Sequence, residues 1–135
     1  MASKNAGKNL AGTLSVELLR VQQFVLLPAP HPAAVLLDRL WPRGISKTQM
    51  AGVVWEKEAT PSTALRQWFH VEPQARWDEF QLRFAQELQL PAAQAALARI
   101  RAQAQSAEKM LLLTAAKVPE RSHLWVLQQE LARGA

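Results

Sequence analysis

The chain has 135 residues, of which 49% are hydrophobic and 20% charged, with a formal net charge of +5. That balance fits one folded domain with a core of its own and excludes a disordered or fibrous polypeptide. The absence of cysteine excludes disulfides, iron–sulfur clusters, zinc–thiolate sites and thiol nucleophiles.

Residues 1–14 are polar, basic and rich in Ala, Gly, Lys and Asn. They lack the apolar stretch of a secretory signal, so they read as a disordered basic tail ahead of a single domain over residues 15–135. No later apolar run reaches the roughly 18–20 residues that a membrane span needs. A cytoplasmic protein with no membrane partner is expected.

Val16–Val21 and Val35–Asp38, the latter with a start as early as Ala33, are short and apolar and suit buried strands. Between them Pro28, Pro30 and Pro32 prevent both ladder and helix and require a loop. Pro42 and Gly44 turn the chain after the second strand. Val53–Lys57 is a weaker, shorter strand pattern. Thr60 and Pro61 look like the cap and first position of a helix running to about Phe69. Pro73–Leu90 carries the strongest helical signal, because Trp77, Phe80, Phe84 and Leu88 recur at steps of three and four. Pro91 opens an Ala-rich helix to about Gln105. Lys109–Ala115 is apolar throughout, as a parallel strand covered on both faces would be. Pro119 starts a last helix to Arg133, with Leu124, Leu127 and Leu131 on one side. Trp68, Trp77 and Trp125 are expected in the core. Strands separated by helices predict an α/β fold, a three-layer single domain with a small, mainly parallel sheet flanked by helices.

In such sheets ligands bind beyond the carboxyl ends of the strands. Two segments leave strand ends with reactive side chains, Asp38–Lys47 and Thr114–His123. They face each other across one crevice if their strands are parallel neighbours. Six of the 16 Lys and Arg residues lie in the first 50 positions against only Glu17 and Asp38. The surplus belongs to the tail and to the segment around Arg39–Lys47, which favours a focused anion pocket over a broad basic face. Arg39 and Arg43 present guanidinium forks and Lys47 a point charge, Asp38 orients them, and Trp41 walls the site. Arg66 lies one turn into the helix that follows Thr60. Ser62 and Thr63 offer hydroxyls and free N–H groups at its start, where the helix dipole favours an anion. His123 stands at the start of the last helix as a candidate general acid or base.

The bland alternative for each is plain: Asp38 pairing with a neighbouring Arg, Ser62 as a helix cap, His123 as a structural hydrogen-bonder. Glu56-Lys57-Glu58 and Asp78-Glu79 read as solvated charge. Neither a Gly-rich phosphate loop nor G-x-S-x-G occurs. The three histidines have no metal spacing, so neither a metal nor another cofactor is expected.

Asp38-Arg39-Leu40-Trp41-Pro42-Arg43-Gly44 with Lys47 is the most specific run in the chain. Trp55-x-Lys57-Glu58-x-x-Pro61-Ser62-x-x-Leu65-Arg66-x-Trp68-Phe69 and Trp77-x-x-Phe80-x-x-Arg83-x-x-x-Glu87-Leu88 follow it in order. Together they resemble the YeaO-like family, a bacterial branch of domain of unknown function 488, over about Val16 to Leu131. The resemblance implies a small cytosolic α/β domain and no particular activity. The positions that match its signature are Asp38, Arg39, Trp41, Pro42, Arg43, Gly44, Lys47, Pro61, Ser62, Arg66, Trp77, Arg83 and His123. So many polar groups in one pattern suggest a shared ligand pocket. The chain departs from the family after the last strand: Thr114 replaces an aromatic hydroxyl, Val118 a polar acidic or amide residue and Ser122 an amide. Phe84 stands for the usual Tyr, and His70 comes one residue early.

Three functions follow. The first is a protein that binds a small phosphate- or carboxylate-bearing ligand, with hydrolase or transferase activity. In it Asp38 and His123 handle the proton and Arg39, Trp41, Arg43, Lys47, Ser62 and Arg66 hold the ligand. The second is a non-catalytic interaction domain whose arginines are paired off by carboxylates. The third is a nucleic-acid-associated module that uses the basic N-terminal region.

Overall fold

A computed structural model describes residues 15–133; the expected tail lies outside the described residues. Four strands form one sheet in the order β1-β4-β2-β3: β1 is Ser15–Arg20, β2 Ala33–Leu36, β3 Val54–Trp55 and β4 Lys109–Thr114. Every pairing is parallel, with Leu18 opposite Leu112 and Val35 also opposite Leu112. The fold is therefore an α/β domain around a small parallel sheet. The apolar run of β4 is explained by its central place. Met110 and Leu112 point into one apolar cluster while Leu111 and Leu113 point into the other. A strand buried on both faces needs no polar alternation.

The two faces are covered unequally. On one side lie the long helices: α2 (Thr63–Val71), α3 (Pro73–Glu87), α4 (Pro91–Gln105) and α5 (His123–Arg133). The other side carries only α1 (Val21–Phe24), with Met50, Trp41, Ile45 and Val53 from the segment that joins β2 to β3. The short helix α1 follows β1 at once, where the strand signal alone would have carried on to Val21. The α3 stripe forms as its periodicity requires. Phe80, Phe84 and Leu88 are buried, and Trp77 is half-buried against Phe80 at 5.9 Å between ring centres.

Several local expectations shift. Ser62, not Thr60, caps α2: its hydroxyl accepts the Leu65 N–H at 3.1 Å. The Thr60 hydroxyl instead donates to the Lys57 carbonyl at 2.5 Å and closes a 3-10 turn at Lys57–Ala59. The last helix begins at His123, because Pro119–Arg121 forms a separate 3-10 turn. Trp125 is 41% exposed rather than in the core. Glu56 is not solvated. It is buried and accepts two hydrogen bonds from Arg99, at 2.8 and 2.9 Å, which a carboxylate leaving water requires. Trp68 is half-buried, with the guanidinium groups of Arg76 and Arg83 over its ring at 4.8 and 4.4 Å. Among the described residues no helix is long and apolar enough to cross a membrane.

Candidate functional site at the carboxyl end of the sheet

Because β2 and β4 are adjacent and parallel, the segments that leave them meet beyond their carboxyl ends. Asp38 follows Leu37 there. One of its carboxylate oxygens accepts the Thr114 hydroxyl at 2.6 Å and the other accepts the Ala115 N–H at 2.7 Å. The carboxylate thus ties the two strand ends together. Thr114 Oγ1 in turn accepts the Ala116 N–H at 3.1 Å, so the turn after β4 is built on the same pair.

His123 enters from the first position of α5. Its Nε2 meets the Leu37 carbonyl and lies 3.6 Å from Asp38 Oδ1. A carbonyl only accepts, so Nε2 carries the proton and Nδ1 keeps a lone pair. The side chains of His123 and Asp38 are only 15% and 14% exposed. Burial pushes the imidazole below its ordinary pKa, while the Asp38 carboxylate and the Leu37 carbonyl pull the other way, and the charges of His70 and Arg66 add to the lowering. The edge of the Phe84 ring meets His123 with centres 6.2 Å apart and forms the apolar wall behind this burial. The result is a weakly basic histidine oriented by the Leu37 carbonyl, with the Asp38 carboxylate 3.6 Å from the same nitrogen, an arrangement able to accept a proton at Nδ1.

Arg66 lies on α2, and its Nε is buried with no hydrogen-bond partner. The other expected ligand-binding residues are placed differently. Arg39 turns toward the start of α2, where Nε and Nη2 donate to the carbonyls of Pro61 and Thr60 at 3.2 and 2.9 Å. Trp41 Nε1 donates to the Ile45 carbonyl at 2.6 Å, which closes its own loop, and its ring packs edge-on against Trp55 at 5.3 Å. Trp55 Nε1 donates to the Asp38 backbone carbonyl at 2.7 Å. The W-P-R-G turn is thereby tied back to the strand end, and Gly44 takes φ +79°, a left-handed conformation that a side chain would strain. Arg43 and Lys47 are exposed on this loop. The place expected for an anion at Ser62 is filled by Glu87, whose carboxylate accepts the Ser62 N–H at 2.8 Å and its hydroxyl at 2.6 Å. A groove of about 490 Å³ lies beside that pair, lined in part by Leu65, Arg83 and Leu90.

Sequence reasoning paired Asp38 with the arginines, whereas its partners are Thr114, Ala115 and His123. It passed over Glu87 as the partner of Ser62 and gave His70 no role. The signal for Glu87 was present: it sits 25 residues after Ser62 on the helix that packs against α2.

A family model described as "Domain of unknown function DUF488" matches residues 20–131. The chain belongs to this family. Relatives include the uncharacterized protein Rv3073c of Mycobacterium tuberculosis (strain ATCC 25618 / H37Rv) and the uncharacterized protein Mb3100c of Mycobacterium bovis. Each is 39% identical over 97 residues, covering 72% of this chain and 78% of the relative. The uncharacterized protein YeaO of Escherichia coli (strain K12) is 63% identical over 38 residues, 28% of this chain and 33% of its own. No solved structure matches significantly. Within the DUF488 chain, then, the carboxyl-end cluster of Asp38, Thr114 and His123 is a feature of the geometry alone, since none of these relatives carries a stated activity.

Proposed function

We propose that the protein binds a small phosphate- or carboxylate-bearing ligand at the carboxyl ends of β2 and β4, and that Asp38 and His123 handle a proton there. The supporting observation is Arg66. A buried guanidinium N–H without a partner is costly, and in native proteins such a group commonly answers to a missing ligand or ordered water. Arg66 makes no ion pair among the described residues, and an anion would satisfy both its charge and its free N–H. Asp38 is already occupied by Thr114 and Ala115 and makes no ion pair with Arg66, so its charge is left to act on His123, 3.6 Å away.

With an anion on Arg66, neutral His123 takes a proton at Nδ1 from a water or hydroxyl held against it, which suits hydrolase or transferase chemistry. Asp38 stabilises the imidazolium formed. Arg39 and Ser62 hold α2, and hence Arg66, in place. Trp41 braces the loop from which Arg43 and Lys47 project and raise the local concentration of anions.

The test is titration of the full chain with inorganic phosphate and with acetate, followed by the imidazole proton resonances of His123. The expected result is a saturable shift that disappears in Arg66→Gln. A shift that survives Arg66→Gln, or no shift at all, refutes the reading and leaves a domain without a ligand at this end.

A further inference from the structure

We infer a second binding surface that does not rest on the anion site: the Trp55 indole, with Trp41, Arg43 and Lys57 around it, takes single-stranded nucleic acid, one base stacked on the indole and the adjoining phosphates on the cations. Trp55 ends β3, an edge strand of the sheet, and is 37% exposed. Its Nε1 donates to the Asp38 backbone carbonyl at 2.7 Å, so the N–H is spent inside the protein and the ring is held in place. The Trp41 ring meets it edge-on at 5.3 Å, and the Trp41 N–H is spent in the same way on the Ile45 carbonyl. What faces outward is a fixed aromatic surface rather than a hydrogen-bonding one. A ring already held rigid loses little freedom when something stacks on it. Lys57 Nζ lies 5.3 Å from the centre of the Trp55 ring.

The charge around this ring is unbalanced. Over residues 39–57, Arg39, Arg43, Lys47 and Lys57 stand against Glu56 alone. Glu56 is buried on Arg99, and the field of Glu58, the next acid, falls on Arg99 as well. Arg39 is turned inward onto the Thr60 and Pro61 carbonyls. Arg43 is exposed in the turn that the Trp41 N–H closes onto Ile45, and exposed Lys57 sits on the Trp55 ring, so a cation flanks each end of the tryptophan pair. Lys47 is exposed two residues beyond that turn. An acidic peptide would use these cations and leave the indole idle, and a duplex hides its base faces in the stack. A single strand offers a free π-face on each base and a phosphate between bases. The Lys57 stem is flexible, so its ammonium moves from the ring to a phosphate when a base takes its place.

The experiment uses the full chain and a labelled strand of about 12 thymidines, compared with an abasic strand and a duplex of the same length and with poly-glutamate. Anisotropy of the label and tryptophan emission report binding. The thymidine strand is expected to bind at least about fivefold more tightly than the abasic strand, the smallest contribution of one stacked base, and to quench the tryptophan emission. Trp55→Leu should erase that ratio, while Trp55→Phe should keep most of it with a smaller quench. The logarithm of the affinity should fall against that of the salt concentration with a slope of about −2, from three cations at about 0.7 each. Arg43→Gln and Lys57→Gln change exposed side chains, should melt as the parent does, and should each reduce the slope by about 0.7. Lys4→Gln with Lys8→Gln should leave the thymidine-to-abasic ratio unchanged. If Trp55→Leu does not fold, the abasic comparison and the slopes of the two exposed variants still decide the matter. Equal affinity for the two strands, a duplex or poly-glutamate bound as tightly as thymidines, a ratio that survives Trp55→Leu, slopes unmoved by both exposed variants, or no binding at all overturns the inference. Arg66→Gln should bind the strand as the parent does, so failure of the anion site leaves this surface standing.

Discussion

Replacing Asp38 by Ala removes the acceptor of two short hydrogen bonds, from the Thr114 hydroxyl at 2.6 Å and the Ala115 N–H at 2.7 Å. Both donors are then left without a partner at a strand end where Thr114 is only 1% exposed. A hydrogen bond to a charged group contributes about 1.5–3 kcal/mol, and an unsatisfied buried donor costs about 1–3 kcal/mol. The two losses overlap, since the strand ends relax, and Asp38→Ala should cost about 3–5 kcal/mol overall. Asp38→Asn keeps one carbonyl acceptor and should cost about half as much. The two strands would also lose their tie, so the cost belongs to the whole domain rather than to the loop. Urea unfolding at pH 7 measures it, and Thr114→Val in a double-mutant cycle with Asp38→Ala isolates the pair. A coupling below about 0.5 kcal/mol, or an Asp38→Ala cost below about 1 kcal/mol, would refute the assignment of Asp38 as the clasp between β2 and β4.

The depressed pKa of His123 makes a pH prediction whose sign is fixed by linkage. The unfolded chain takes up the proton first, near the ordinary histidine value of about 6.5, so stability is full above that pH and falls as pH drops toward the folded-state pKa. Urea midpoints at pH 7.5 and 5.5 should differ less in His123→Gln than in the parent. Phe84→Ala opens the apolar wall beside His123. It should cost about 3–5 kcal/mol and raise the His123 pKa, read by NMR titration. Ser62→Ala removes the α2 cap and strands one oxygen of Glu87, which should cost about 1–2 kcal/mol by denaturant titration. Gly44→Ala should cost about 1–2 kcal/mol, entirely from the left-handed backbone, because nothing lies near enough to clash.

Sequence by itself determined the elements whose signal is local. The all-apolar run Met110–Leu113 could only be a strand covered on both faces, and the spacing of Phe80, Phe84 and Leu88 could only be one side of a helix. It also pointed to the carboxyl ends of β2 and β4, because Asp38 and His123 each follow a strand signal closely. Tertiary structure decided every partner. Asp38 stands next to Arg39 in the chain, yet strand pairing sets it against Thr114 and Ala115, 76 and 77 residues away. Ser62 is an open helix start in the sequence, yet the packing of α3 on α2 puts the Glu87 carboxylate there. Charge proximity along a chain says little about charge pairing in space, since a buried group is satisfied by whatever donor the packed helices and strands bring within about 3 Å. Arg66 gains its significance the same way: only the packed helices show that its Nε is buried and lacks a partner.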